Sequence, residues 1–412
     1  MYPWIVRRLG LYHLIIFAAL SLLANGADAQ EFESGYLERF ESTFNNGGYV
    51  AAYEPQEPIV GDVDFSPYLV SEPPPGNLAR ALVLAKQYAV NAGSSAFMVW
   101  QDGEVIASYY GAEIENETPL LSKSLSKPLG AIAIGRAIAL GHIGSVDQRV
   151  ADFLTEWQGG AKASITIRHL LDMRSGLLPQ GFSVDPAHPW NRAYLSFFHD
   201  EVLLHDYPLV TKPGSEFGYS NASAELVALI IERATGVRYG QFLGNEVLAK
   251  IGAQGGSIWV DRPGGLAHSG CCMYLPAETW LRLGVLLLNQ GKFDQQQLLP
   301  EGFVNQMQES TAQNPHYGMG VWVGRPFLSR RGFTGPSGPG PKVYHSEPYL
   351  DPALFLFDGN SNQVVYILPS YSMVILRLGP NPPKDPEWDN SYLPNLLVGS
   401  LLKPDPDDKT VD

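Results

Sequence analysis

The 412-residue chain has only two cysteines, Cys271 and Cys272, and they are neighbours. Adjacent Cα atoms lie closer than an unstrained disulfide normally requires, so no disulfide framework is expected and the pair reads as two small buried hydrophobes. With no histidine at ligand spacing, the two thiols do not suggest structural zinc either. Basic residues are scarce as well: 28 Lys and Arg stand against 42 Asp and Glu, a net charge of −14. There is no basic cluster, which argues against a nucleic-acid-binding surface. Beyond the first thirty residues no apolar run is long enough to span a bilayer. Internal repeats and low-complexity segments are missing too. What is present, 45% apolar and 17% charged residues, is the composition of a folded globular protein with ample material for a core.

Residues 1–29 read as an export signal. Arg7 and Arg8 give a positive start, Leu9 to Leu23 is apolar apart from Tyr12, His13 and Ser21, and Ala27-Asp28-Ala29 supplies small residues for signal peptidase. Cleavage is expected after Ala29, which leaves Gln30 first and the mature protein periplasmic or secreted. The alternative is an uncleaved anchor, the one membrane contact the sequence suggests. Residues 404–412 form a solvated acidic tail.

Between these ends, residues 30–75 read as an irregular Gly- and Pro-rich arm on the surface of a domain covering 76–403. A helix follows the arm, with Leu78, Ala81, Leu82, Leu84, Ala85 and Tyr88 as its apolar stripe. Asp102-Gly103 between two strand-like runs predicts a tight hairpin. From about 125 to 298 the pattern is helical. Strand character returns at Met319–Val323, Leu354–Phe357, Val364–Leu368 and Met373–Leu378, before a final helix near Leu393–Leu402. Strands at both ends and helices between predict an α+β fold, with one antiparallel sheet built from the two termini and a helical lobe beside it. Ligand sites favour the cleft between such lobes.

Ser124 falls at that junction. Ser124-Leu125-Ser126-Lys127 leads into an apolar helical run, and residues three apart share a helix face, so Lys127 can reach the Ser124 hydroxyl. A serine is a poor nucleophile until a neighbour takes its proton, and a desolvated lysine can do so. A helix N-terminus also offers N–H groups to an oxyanion. Yet serine is a common helix cap, a first-turn lysine is ordinary, and Ser400-Leu401-Leu402-Lys403 matches the same spacing near the C-terminus. A second stretch adds weight. Tyr219-Ser220-Asn221, after a Pro213-Gly214 turn, contains the only Tyr-x-Asn in the chain. The phenol can relay a proton, and the amide can hold both Lys127 and a substrate amide. By themselves these would be a loop aromatic and a helix cap.

Together the motifs resemble the serine hydrolases of the class C β-lactamase fold, which include penicillin-binding DD-peptidases, esterases and amide hydrolases. The resemblance runs from about Ala79 to Gly379. It includes Ser124-Leu125-Ser126-Lys127-Pro128, Ile165 to Leu177, Pro213-Gly214 with Tyr219-Ser220-Asn221, and Gly291-Lys292-Phe293-Asp294 with Leu298-Leu299-Pro300. It implies Ser124 as nucleophile, Lys127 as its base, Tyr219 as a second acid/base group and Asn221 as a substrate-orienting amide. The family's Lys-Thr-Gly strand has no literal match. Its counterpart by position is Phe357 to Gln363, which makes Asn360, Ser361 and Asn362 the substrate-binding candidates. Phe333-Thr334-Gly335 is the rival, weakened by Pro336.

Without that lysine, β-lactam or D-Ala-D-Ala specificity is not expected. The expectation is an exported hydrolase of a small-molecule or peptide-like ester or amide, needing no metal or cofactor. The alternatives are a β-lactamase or DD-peptidase proper, and a non-catalytic binder of cell-wall fragments or proteins. His169 reads as structural and His345 lacks positional warrant, so a Ser-His-Asp triad is not favoured; nor does Ser124 sit in a Gly-x-Ser-x-Gly turn. Oligomeric state is not legible.

Overall fold

A computed structural model describes residues 30–404 except 74, 337 and 339. The expected leader, its cleavage point and nearly all of the acidic tail lie outside the described residues. Among those described, no helix is long and apolar enough to cross a membrane.

The arm is more ordered than its Gly and Pro content suggested. Residues 30–45 form a helix, α1, and Gln56–Ile59 form a strand, β1. Tyr36 and Phe40, four apart on one face of α1, are buried with Tyr53, Trp190, Tyr194 and Trp259. The irregular surface arm is thus corrected: aromatic burial folds it into the helical lobe.

The main sheet is antiparallel and joins both ends of the chain. Its strands are β2 (Ala96–Gln101), β3 (Glu104–Tyr110), β7 (Trp322–Val323), β8 (Phe355–Gly359), β9 (Gln363–Leu368) and β10 (Met373–Leu378), in the order β3-β2-β10-β9-β8-β7. Asp102 and Gly103, both at positive φ, make the expected β2–β3 turn. The strand expected over Met319–Val323 is reduced to its last two residues. β9 and β10 are buried along their whole lengths because helices cover both faces. On one side lie α2 (Asn77–Asn91) and the C-terminal α6 (Tyr392–Leu401), which pack together; on the other lies α5 (Ala277–Leu288). Leu84, placed on the stripe of α2 by pattern, is in fact exposed at 54%.

The helical lobe centres on α3 (Ser126–Ala139) against α4 (Asn221–Thr235). α3 is apolar nearly all round and buried from Ser126 to Ala137, as a helix enclosed on all sides must be. Helix is not the lobe's only element. A second sheet, ordered β1-β5-β6-β4, uses β5 (Gly256–Trp259), β6 (Met273–Leu275) and β4 (Leu120–Leu121). β4 is the approach to Ser124, so this small sheet fixes the Ser124 loop to the lobe and the arm at once.

Candidate active site

Ser124 sits in a single turn, Lys123–Leu125, immediately before α3. The turn is held from outside. The Ser122 N–H donates to the Met273 carbonyl at 2.8 Å, and the Ser122 hydroxyl accepts from the Met273 N–H at 2.9 Å. Lys123 adopts φ of +49°, a left-handed conformation that costs a side-chain-bearing residue energy.

Lys127 lies one helical turn on, 4% exposed. Its ammonium donates to Ser124 Oγ at 3.1 Å, Asn221 Oδ1 at 2.8 Å and the Gly270 carbonyl at 2.8 Å. Burial lowers its pKa to about 7, while the Glu225 carboxylate pulls it back upward. Lys127 can therefore exist as a free amine at neutral pH, the form a general base needs. Tyr219 places its ring 5.0 Å from the Lys127 ammonium. It is buried among Tyr317, Trp322 and Phe333. Burial pushes its phenol well above the usual range, with the Ser124 hydroxyl a lesser pull downward. The phenol thus stays protonated and is equipped to donate. Asn221 is the first residue of α4, and Ser220 holds the capping position.

Glu225 was not legible as part of this arrangement. One turn along α4 from Asn221, its Oε2 accepts the Gly270 N–H at 3.1 Å, from the same residue whose carbonyl accepts from Lys127. Burial raises the Glu225 carboxyl to about 7. Only the i, i+4 spacing of Asn221 and Glu225 could have hinted at it.

The sequence candidates on the sheet separate. Gly359 ends β8 against the Ser124 loop: a Cβ there would lie 3.3 Å from the Ser124 nitrogen, closer than ordinary van der Waals contact, so any side chain would press on the loop. Asn360 lines the same cleft as Ser124 and Asn221. Ser361 and Asn362 are not part of its wall, and their carbonyls instead accept from Arg377, at 2.6 and 3.3 Å. Thr334, from the rival segment, does line the cleft. Asp358, just before Gly359, is buried and paired with Arg331. His169 accepts the Thr166 N–H in a capping box, and His345 is buried beside Tyr349; neither lines the cleft.

The cysteine reading needs correction. Cys271 and Cys272 are joined as a disulfide between neighbours and are not two separate thiols, though both are buried as expected. Cys271 also lines the cleft. For metals, one group among the described residues brings three donors together. His199, Glu225 and His268 are all buried, with candidate ligand atoms within 4.8 Å of one another. The two imidazoles stack with centroids 4.1 Å and planes 30° apart. Three donors are one fewer than the four ligands of a closed structural zinc site.

Comparison with known proteins agrees with this architecture. The beta-lactamase family model matches residues 83–387. The chain belongs to the beta-lactamase family of serine hydrolases, with that family's α+β fold. A 6-aminohexanoate-dimer hydrolase of Paenarthrobacter ureafaciens is 28% identical over 250 residues, 55% of this chain; the aligned part spans 60% of that relative's length. A Bacillus anthracis structure assigned as a 6-aminohexanoate-dimer hydrolase is 17% identical, with TM-score 0.65, covering 87% of this chain and 92% of that one. A penicillin-binding protein homologue from Caulobacter crescentus is 16% identical, with TM-score 0.58, covering 81% and 100%. At such identities the two structures testify to fold alone.

Proposed function

We propose that the protein is an exported serine hydrolase that cleaves an ester or amide through an acyl-enzyme on Ser124. The observation that carries this reading is the Lys127 ammonium 3.1 Å from the Ser124 hydroxyl, at the wall of an open cleft. As the free amine, Lys127 takes the Ser124 proton while Oγ attacks the carbonyl carbon. The backbone N–H groups of Ser124 and Asn360 are the proposed donors to the oxyanion. Tyr219 gives a proton to the leaving oxygen or nitrogen and recovers one through Lys127. Asn221 fixes the lysine and the substrate amide together. Water then repeats the attack on the acyl carbon, releasing the acid and restoring Ser124.

Ester or amide substrates are favoured over β-lactams because the sheet edge facing Ser124 carries Phe357-Asp358-Gly359, with Asp358 committed to Arg331. The curated amide-hydrolysing relative supports an amide as one option. The test is intact-mass spectrometry after a fluorophosphonate or penicillin, with Ser124→Ala as control. A single adduct on wild type and none on the variant is expected; no adduct with either reagent sinks the enzyme reading in favour of a binding scaffold. Turnover of a chromogenic cephalosporin without p-nitrophenyl ester hydrolysis would favour a β-lactamase proper. Export belongs to the same proposal, and a mature N-terminus at Gln30 in the periplasmic or secreted fraction checks it.

A further inference from the structure

The cleft above Ser124 has a volume of about 440 Å³. Its outer wall is aromatic: Tyr49 and Tyr53 come from the arm, and Phe182, Trp190 and Tyr194 from the helical lobe. Among the described residues that line it, Lys123 is the one charged side chain, and no carboxylate shares the wall. In a protein of net charge −14 that is a selective exception. The Lys123 ammonium is tethered, not free to swing. It donates to the Tyr53 hydroxyl at 2.8 Å and stands 4.8 Å from that ring's centroid. An ammonium has three donor hydrogens, and the Tyr53 hydroxyl occupies one of them. The residue is also half-buried, and burial lowers its pKa, so a carboxylate partner would restore the charge that burial penalises.

We propose that Lys123 is a specificity-determining residue, selecting linear ester or amide substrates whose apolar chain carries a carboxylate. This rests on the serine-hydrolase reading above. The aromatic wall takes the chain by apolar contact, and the ammonium takes the terminal anion. A neutral chain loses that contact, and a cationic one meets like charge. The cation enters from the nucleophile's own loop, in place of one on the sheet edge. The left-handed backbone at Lys123 also acquires a purpose, since the strain accompanies a side chain directed to the cleft wall.

The experiment uses hydrolysis of p-nitrophenyl butyrate as reporter, inhibited by 5-phenylpentanoate, by its isosteric neutral carboxamide or by 5-phenylpentylamine. For wild type the carboxylate should inhibit with a Ki about ten- to a hundredfold below that of the carboxamide, and the amine should be weakest. Lys123→Gln should close the gap between carboxylate and carboxamide, and Lys123→Arg should keep most of it. Equal Ki values in wild type, or a gap that survives Lys123→Gln, overturn the proposal, and the wild-type comparison decides even if a variant fails to fold. Absence of reporter hydrolysis by wild type is a separate outcome that removes the hydrolase reading, and this inference with it.

Discussion

The chain carries one spacing twice, Ser124-x-x-Lys127 and Ser400-x-x-Lys403, in opposite surroundings. Ser400 lies in α6, where its hydroxyl donates back to the Leu397 carbonyl at 2.7 Å, and Lys403 is exposed just past the helix end. Nothing there desolvates the lysine, and the serine is spent on its own helix. At Ser124 the lysine is enclosed by α4 and by the loop ending at Gly270, with three acceptors around its nitrogen. The lesson is that the tetrad supplies proximity, whereas chemistry comes from what is packed over the lysine. A motif search treats the two sites alike; burial separates them.

The sharpest break is at the proposed nucleophile. Ser124→Ala should lower ester hydrolysis by about 10⁴-fold or more, whereas Ser400→Ala should leave it unchanged. Lys127→Ala should cost about 10²- to 10⁴-fold in kcat/KM, the usual range for a general base. Asn221→Ala removes one of the three acceptors around Lys127 and should cost about ten- to a hundredfold, through a charged hydrogen bond worth about 1.5–3 kcal/mol.

The pH dependence tests the packing directly. On the proposed mechanism Lys127 acts as the free amine, so kcat/KM should climb with pH through about 7 and level off above it. Stability carries the same signature. Lys127 titrates near 7 when folded and near ~10.4 when unfolded, so between these values the unfolded chain binds more protons. Stability from this residue should therefore rise with pH across that window, measurable by urea denaturation; a flat or falling contribution, read against Lys127→Met, would contradict the burial argument. The smallest effect expected is that of Glu225→Gln. Removing a charge that raises the Lys127 pKa should move the midpoint of the rate profile to lower pH.

Much of this was legible in the sequence where local pattern and tertiary demand agree. The Asp102-Gly103 hairpin, strands β8 to β10 and the final helix follow from turn chemistry and apolar runs. So does the placing of Ser124 between sheet and helical lobe. The arm was misread because its Gly and Pro content hid an amphipathic α1, whose aromatic face has meaning only against Trp190 and Trp259. Lys123 and Glu225 escaped notice for another reason. Neither belongs to a spacing motif, and their roles arise from Tyr53 and Gly270, about 70 and 45 residues away in sequence.

The left-handed backbone at Lys123 bears on how this protein would respond to engineering. The left-handed conformation costs an L-residue about 1–2 kcal/mol, and asparagine, whose short polar side chain can hydrogen-bond locally, bears it at less cost than lysine. A library screened for heat resistance alone should therefore collect Lys123→Asn early, as an apparent improvement. Under the specificity proposed above, such a variant would have exchanged its substrate preference for a higher melting temperature, and only a screen that includes an anionic substrate would expose the loss.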